Sequence, residues 1–168
     1  MNRNARILIA CEESGIVTGE FIKLGYENVW SCDIGPTSGN HPERHLQQDV
    51  IPLLKQQWDM LIAFPPCTYL SNAGNRWLWQ GGQLNQQRYE KGMVAKDFFL
   101  KILNTDCPRI AIENPLHARI YNMPPHSQEI QPWQFGHPVT KKNTLMAKGI
   151  TTIDIHGYCG TDTLLFTQ

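Results

Sequence analysis

The chain has 168 residues, of which 41% are hydrophobic, and its 15 basic and 15 acidic side chains leave no formal net charge. This length predicts one domain with one core, spanning residues 1–168, and the zero net charge excludes nucleic-acid binding through a general positive field. Apolar runs are too short to span a membrane and no signal sequence is recognisable, so no membrane association is expected. The five cysteines are scattered without a CxxC pair, which argues against a zinc ribbon or a disulfide framework and predicts a reducing, cytoplasmic compartment.

Strand and helix patterns alternate along the chain. Short apolar runs predict buried strands at residues 5–11, 28–34, 58–64 and 109–114. Residues 15–26 predict a helix that ends at Gly25, and residues 88–103 predict the clearest helix of the chain. Apolar strands alternating with helices are typical of an α/β fold, in which a doubly wound, mostly parallel sheet carries helices on both faces.

The remaining segments are more polar. Residues 35–48 and 71–87 are predicted to be surface loops, and residues 49–57 predict an acidic residue followed by a short helix. Two further β candidates lie near residues 144–146 and 151–155. In a parallel sheet, ligands bind beyond the carboxyl ends of the strands, so the residues that follow each strand are the candidates for function.

Acidic residues and a glycine follow the first strands. Gly15 opens a helix, which suits a ligand near the backbone N–H groups, while Glu12 and Glu13 would repel a pyrophosphate but tolerate a cationic or zwitterionic ligand. Asp33 can accept both hydroxyls of a ribose, and Asp49 can accept from an adenine amino group. An ordinary tight turn and two helix N-caps would explain the same residues. Taken as an ordered set, they predict an adenosine-containing cofactor.

A single thiol follows two prolines where the strand at 58–64 ends. Pro65 and Pro66 fix the backbone, so Cys67 would be held rigidly. A buried cysteine usually serves as a small hydrophobe, but the polar segment that follows favours a reactive role, and no further Cys or His lies close enough in sequence for a metal site. Glu113, at the end of the next strand, can hydrogen-bond N3 and the amino group of a cytosine, or can form a surface salt bridge.

These residues resemble the catalytic core of the DNA cytosine-C5 methyltransferases. Residues 59–74 (DMLIAFPPCTYLSNAG) are similar to that family's nucleophile motif, in which Pro-Cys is followed by a serine and then a glycine, here Ser71 and Gly74. Residues 109–115 (RIAIENP) resemble its Glu-Asn motif. The resemblance extends over roughly residues 5–120, and short chains of this form resemble compact methyltransferase-like proteins of bacteria and their phages.

The resemblance implies a class I methyltransferase fold of the Rossmann-like type, S-adenosylmethionine as cofactor, and C5 of cytosine in DNA as acceptor. It implies that Cys67 attacks C6 of the ring while Glu113 holds N3, and that the base leaves the stack to be reached. The implied catalytic residues are Pro66, Cys67, Glu113 and Asn114. The implied cofactor residues are Cys11, Glu12, Ser14, Gly15, Asp33, Ile34, Asp49, Val50, Phe64 and Pro65.

The sequence departs from the family in ways that affect the acceptor. Its first motif keeps only Gly15 of a glycine-rich pattern, and a segment with Lys141 and Lys142 replaces a basic arginine motif. The 168 residues are expected to leave no room for a target-recognition domain. Lysine is a point charge without the planar fork of arginine, so any contact to the base differs. Tryptophans of the 68–87 loop can stack on a base or lie partly buried. The predicted substrate residues are Ser71, Trp77, Lys141 and Lys142.

Two alternatives remain open at this point. The first is a methyltransferase that acts on single-stranded nucleic acid or on a nucleotide, and the second is a non-catalytic module that binds the cofactor or a nucleotide. DNA is the expected partner, either directly or with help from another protein. A homodimer would pool the lysines of two chains and offset the lack of net positive charge.

Overall fold

The computed structural model describes residues 1–135, 138 and 142–150. Seven strands form one sheet in the spatial order β3-β2-β1-β4-β7-β9-β8, and a separate hairpin pairs β5 with β6. The strands are β1 (Ile7–Ala10), β2 (Val29–Asp33), β3 (His45–Gln47), β4 (Met60–Ala63), β5 (Trp79–Gln80), β6 (Gln83–Leu84), β7 (Ile110–Pro115), β8 (Gln128–Ile130) and β9 (Asn143–Lys148). The α-helices of the described residues are α1 (Ile16–Lys23) and α2 (Gln86–Leu103).

Five neighbouring strands of the sheet are parallel to one another, namely β3, β2, β1, β4 and β7. Strand β9 runs antiparallel and inserts between β7 and β8. This confirms the predicted doubly wound, mostly parallel sheet of an α/β fold. The strand order reverses at β1 and β4, because β2 lies on one side of this pair and β7 on the other. A crevice at such a reversal is where ligands bind in this kind of sheet.

The two faces of the sheet are covered by different helices. On one face, Leu8 and Leu61 pack with Phe99 of α2. On the other face, Ile7 and Ile9 pack with Phe21 of α1. Every residue of β1 and of β4 is buried, which explains why these strands read as continuous apolar runs instead of alternating ones.

Three segments predicted to be loop or short helix contain other structure. Residues 35–48 include β3, which sequence reasoning missed because this short edge strand has no fully buried residue. The predicted helix within residues 49–57 is a single 3₁₀ turn at Leu53–Lys55. Residues 71–87 contain a 3₁₀ helix at Asn72–Trp77, followed by the β5–β6 hairpin.

The other predicted elements agree better with the structure. The long helix at 88–103 is confirmed as α2, whose N-terminus is capped by the Asn85 side chain. The β candidate near 144–146 is confirmed as β9, while the one at 151–155 lies outside the described residues. Among the described residues, no helix is long and apolar enough to cross a membrane.

Candidate active site

Cys67 lies in the loop that leaves the carboxyl end of β4. Pro65 is buried, Pro66 is exposed and Cys67 is half-buried. The carbonyl oxygen of Cys67 accepts hydrogen bonds from the N–H groups of Leu70, at 3.1 Å, and of Ser71, at 2.9 Å. The chain therefore turns directly after the thiol, and the predicted substrate residue Ser71 is buried within that turn.

Glu113 and Asn114 lie at the end of β7, next to this loop. β4 and β7 are parallel neighbours with Ala63 opposite Ile112, so the residues that follow lie at the same edge of the sheet. Asn114 is 1% exposed, and its Nδ2 donates to the carbonyl oxygen of Pro65 at 3.4 Å. Its own carbonyl accepts from the hydroxyl of Thr144 at 2.8 Å. We call this meeting of Pro65–Cys67 with Glu113–Asn114 the catalytic edge.

The side-chain oxygen of Asn114 is a notable feature of the catalytic edge. Oδ1 is buried and has no hydrogen-bond partner among the described residues. A buried polar atom without a partner is destabilising by about 1–3 kcal/mol, so native proteins keep few of them. An acceptor left open at this position suits a ligand that brings a donor to the catalytic edge.

Arg88 of α2 clamps the loop after Cys67, a role that sequence reasoning missed. Its Nη2 donates to the carbonyl oxygen of Thr68 at 3.0 Å, and its guanidinium lies 5.0 Å from the ring centroid of Tyr69. Gly74, the glycine of the nucleophile motif, lies against the same contact. A Cβ at Gly74 would come within 2.9 Å of both the Thr68 carbonyl oxygen and Arg88 Nη2. The loop therefore requires a glycine at this position.

The turn after β1 has a strained and well-supported backbone. Cys11 has a φ of 58° and Gly15 a φ of 65°, a region that non-glycine residues seldom adopt. Glu12 is 4% exposed, and its carboxylate accepts from the N–H of Val17 and from the hydroxyl of Thr18, both at 2.6 Å. The side chain of Glu12 thus stabilises the start of α1 and leaves its backbone as the part that can contact a ligand.

A loop after β2 covers this first turn. The carbonyl oxygen of Glu13 accepts from the hydroxyl of Thr37 at 2.7 Å and from the N–H of Ser38 at 3.2 Å. A Cβ at Gly39 would overlap the carbonyl oxygen of Ser14. Two of the predicted cofactor residues, Ser14 and Gly15, therefore lie under this loop.

Asp33 and Asp49 are each held by a local turn. Oδ1 of Asp33 accepts from the N–H of Gly35, and Oδ1 of Asp49 accepts from the N–H of Ile51, both at 2.9 Å. For each aspartate, the Asx turn is a local structural role that offers an alternative to ligand binding. Each carboxylate keeps a second oxygen, Oδ2, that has no partner among the described residues.

The charges of the two aspartates converge on Cys11. Burial raises the pKa of the Cys11 thiol to about 12, with further contributions from Asp33, Cys32 and Asp49 in that order. Cys11 is therefore a neutral thiol at physiological pH. The same negative potential would stabilise a cation placed between these strand ends.

The residues at these strand ends fit the charge of S-adenosylmethionine. The unpartnered Oδ2 atoms of Asp33 and Asp49 suit the ribose hydroxyls and the adenine amino group. Ile34 is 81% exposed and offers an apolar surface beside them, whereas Val50 is buried in the core. Phe64 is half-buried at the crevice, and its N–H donates to the carbonyl oxygen of Ala10 at 3.0 Å. We call the region of Cys11–Gly15, Asp33 and Asp49 the cofactor edge.

Of the other predicted substrate residues, Trp77 and Lys142 lie on the surface. Trp77 is 54% exposed, and the guanidinium of Arg76 lies 5.0 Å from the centroid of its ring. Lys142 forms an ion pair of 3.2 Å with Glu129, which partly neutralises its charge. Lys141 lies outside the described residues.

The comparisons with known proteins bear on the fold. No family model and no curated protein matches the sequence. A crystal structure of Thermoplasma acidophilum protein 1320 is similar, with a TM-score of 0.50 and 17% identity over 86% of this chain and 78% of that one. A prophage-encoded E. coli protein, described as a candidate DNA modification methyltransferase, has a TM-score of 0.47 and 14% identity over 85% of this chain and 46% of its own. The first likeness indicates a shared fold and does not extend to function, and the second is too distant to add to it.

Proposed function

We propose that this protein is an S-adenosylmethionine-dependent methyltransferase that methylates C5 of cytosine in DNA through a covalent bond to Cys67. The observation that supports it most is the hydrogen bond from Asn114 to the Pro65 carbonyl. This contact ties the segment of the nucleophile to the segment of the carboxylate at neighbouring strand ends. A cysteine that served only to fill the core, and a glutamate that served only in a surface salt bridge, would not require that link.

The reaction follows from what the two segments carry. The Cys67 thiolate attacks C6 of the cytosine, a sulfur–carbon bond forms, and the electrons of the C5–C6 double bond move toward C5. Glu113 accepts a hydrogen bond from the amino group and, as the carboxylic acid, donates a proton to N3, which neutralises the negative charge that the ring gains. After C5 is methylated, its proton leaves to solvent, the double bond returns, Cys67 departs as a thiolate and the N3 proton returns to Glu113.

The cofactor would be held at the cofactor edge. Asp33 would accept from the ribose hydroxyls and Asp49 from the adenine amino group, while Ile34 packs against the adenine. When bound, S-adenosylmethionine would supply an electrophilic methyl group, whose transfer leaves S-adenosylhomocysteine. The negative potential that acts on Cys11 favours a cationic ligand over a pyrophosphate at this edge.

DNA that contains 5-fluorocytosine tests this proposal, because the fluorine at C5 cannot leave as a proton does. With S-adenosylmethionine present, the protein should remain bonded to the DNA, and mass spectrometry of the digest should place the bond on the peptide that contains Cys67. Cys67→Ala should abolish the adduct. Cys107→Ala is a matched control, because Cys107 is a buried cysteine on the segment that leads into the start of β7.

Two results would contradict the proposal. Full methyl transfer by Cys67→Ala would show that the thiol only packs and that the acceptor is not C5 of a pyrimidine. Binding of S-adenosylhomocysteine without methylation of any cytosine-containing DNA would favour a module that binds the cofactor without catalysis. Nucleoside mass spectrometry after incubation with labelled cofactor distinguishes these two results.

A further inference from the structure

A cleft of about 620 Å³ opens beside the catalytic edge. Its volume falls within the range of roughly 300–1,000 Å³ that is typical of small-ligand sites. We call it the Trp79 cleft. The lining residues that matter here are Asn72, Asn75, Trp79, Leu116, His117 and Arg119.

The walls of the Trp79 cleft are the two segments that leave the catalytic edge. The N–H of Asn72 donates to the carbonyl oxygen of Leu116 at 2.7 Å, and the N–H of Ala118 donates to that of Leu70 at 2.8 Å. Ser71 and His117 form the antiparallel bridge between these contacts. Since the N–H groups of Leu70 and Ser71 also bind the Cys67 carbonyl, the cleft is joined directly to the turn that carries the nucleophile.

The chemistry of the lining matches the parts of a nucleotide. Trp79 is 47% exposed, and an exposed indole can stack on a base. Arg119 is exposed and offers a planar set of donors that suits a phosphate. Asn72 and Asn75 provide amide donors and acceptors for a base edge or a sugar.

The charge of the Trp79 cleft selects an anion. None of the described residues that line it is acidic. Burial, together with the nearby His126, lowers the pKa of His117, so this ring is neutral at physiological pH and Arg119 supplies the positive charge. The guanidinium of Arg76 lies over the ring of Trp77, and both residues lie on the same 3₁₀ helix as Asn72 and Asn75.

We propose that the Trp79 cleft binds the nucleotide next to the target cytosine, and that the acceptor is accordingly single-stranded or locally unpaired DNA. A base can stack on Trp79 only after it has left its neighbours in the strand, which a continuous duplex resists. The balanced charge of the chain also gives no general positive field of the kind that helps proteins hold a duplex. The inference rests on the proposed function in that it takes the acceptor to be DNA.

Fluorescence anisotropy tests this inference without requiring catalysis. The probes are a labelled cytosine-containing oligodeoxynucleotide of about 12 residues, its duplex and the matching RNA, measured at two salt concentrations. The single strand should bind more tightly than the duplex. Trp79→Ala and Arg119→Ala should each weaken its binding by about 5- to 100-fold, the range expected for the loss of one base stack or one charged contact, and Trp79→Phe should restore most of the affinity.

Two matched controls separate the cleft from general surface effects. Trp133 is 53% exposed on another segment, and Arg109 is exposed at the amino end of β7, so Trp133→Ala and Arg109→Ala should bind as the unchanged protein does. Equal binding by Trp79→Ala, tighter binding of the duplex or tighter binding of the RNA would each overturn the inference.

Failure of the inference and failure of the proposed function give different results. If duplex DNA is methylated and Trp79→Ala is fully active, the Trp79 cleft is not the nucleotide site and the proposed function stands. If single-stranded DNA binds through Trp79 and Arg119 but no cytosine is methylated, the nucleotide site stands and the proposed function fails.

Discussion

At the catalytic edge, side chains bind backbone carbonyls from distant parts of the chain, whereas at the cofactor edge Asp33 and Asp49 are each held by their own turn. Asn114 binds Pro65 and Arg88 binds Thr68. By contrast, Asp33 binds the N–H of Gly35, and Asp49 that of Ile51. A change at the catalytic edge should therefore disturb the packing of several elements, while a change at Asp33 or Asp49 should alter ligand binding with little effect on stability.

The two edges also differ in which hydrogen-bond acceptors they leave without a partner among the described residues. The catalytic edge keeps a buried acceptor, Asn114 Oδ1, without a partner among the described residues. The cofactor edge keeps the outer oxygens of two carboxylates. A buried, unpartnered atom is destabilising until a ligand meets it, whereas an exposed carboxylate oxygen is solvated in the free protein. A ligand that donates to Asn114 Oδ1 would therefore remove a destabilising feature of the free protein, whereas a ligand of the two aspartates would replace water.

The largest effect is expected for Glu113→Gln, which keeps the shape of the side chain and removes its charge. Methyl transfer should fall by about 10²- to 10⁴-fold, because an amide cannot transfer a proton to N3 of the activated ring. Affinity for S-adenosylhomocysteine, measured by calorimetry, should stay the same. Glu27→Gln, on an exposed residue just before β2, is the control and should be fully active. Equal activity of the two variants would show that Glu113 has no catalytic role.

Asp33→Ala should have the next largest effect, and this effect should be on cofactor binding and not on the stability of the protein. The loss of a charged hydrogen-bond acceptor should weaken S-adenosylhomocysteine by about 10- to 100-fold in calorimetry, with an unchanged thermal midpoint, because the Asx turn is local. Asp97→Ala, on the exposed face of α2, should leave the affinity as it was. A large drop in stability without loss of affinity would show that the two edges are held in the same way.

These differences indicate how far the sequence alone reaches. The ends of β4 and β7 could be predicted because fully buried parallel strands read as continuous apolar runs that stop at Pro65 and at Pro115. The orientation of the Glu12 side chain could not be predicted, because a carboxylate that caps a helix and one that faces a ligand occupy the same position after a strand. The contacts of Arg88 and His117 depend on how α2 and the loops meet, and no local pattern marks them.

A moderate effect is expected where the catalytic edge is most tightly packed. In Gly74→Ala, the new methyl group would press on the backbone oxygen of Thr68 at 2.9 Å, which should destabilise the protein by about 1–3 kcal/mol and lower methyl transfer. Gly19→Ala is the control, because its nearest contact is the ring of His41 at an ordinary 3.6 Å, and alanine favours a helix by about 0.5–1 kcal/mol over glycine. Urea unfolding measures the free energy of unfolding of both variants. An unchanged free energy of unfolding in Gly74→Ala would show that the loop and Arg88 shift easily to accept the added methyl group.

The smallest effect concerns the electrostatics of the cofactor edge. Burial, Asp33, Cys32 and Asp49 raise the pKa of Cys11 from an ordinary 9.0 to about 12, so the folded protein holds this proton more tightly than the unfolded chain does. The resulting stabilisation is fully present below pH 9 and is lost as the pH rises toward 12.

Iodoacetamide should therefore label Cys11 slowly in the folded protein, with a rate that still climbs above pH 10, and quickly in denaturant. Removing one of the two carboxylate charges in Asp33→Asn should lower the midpoint of that pH profile, because burial remains and repulsion is reduced. Peptide mass spectrometry across the pH range measures both profiles. A midpoint that does not move would mean that the strand ends do not converge on Cys11, and the local negative potential that favours a cationic cofactor would then be absent.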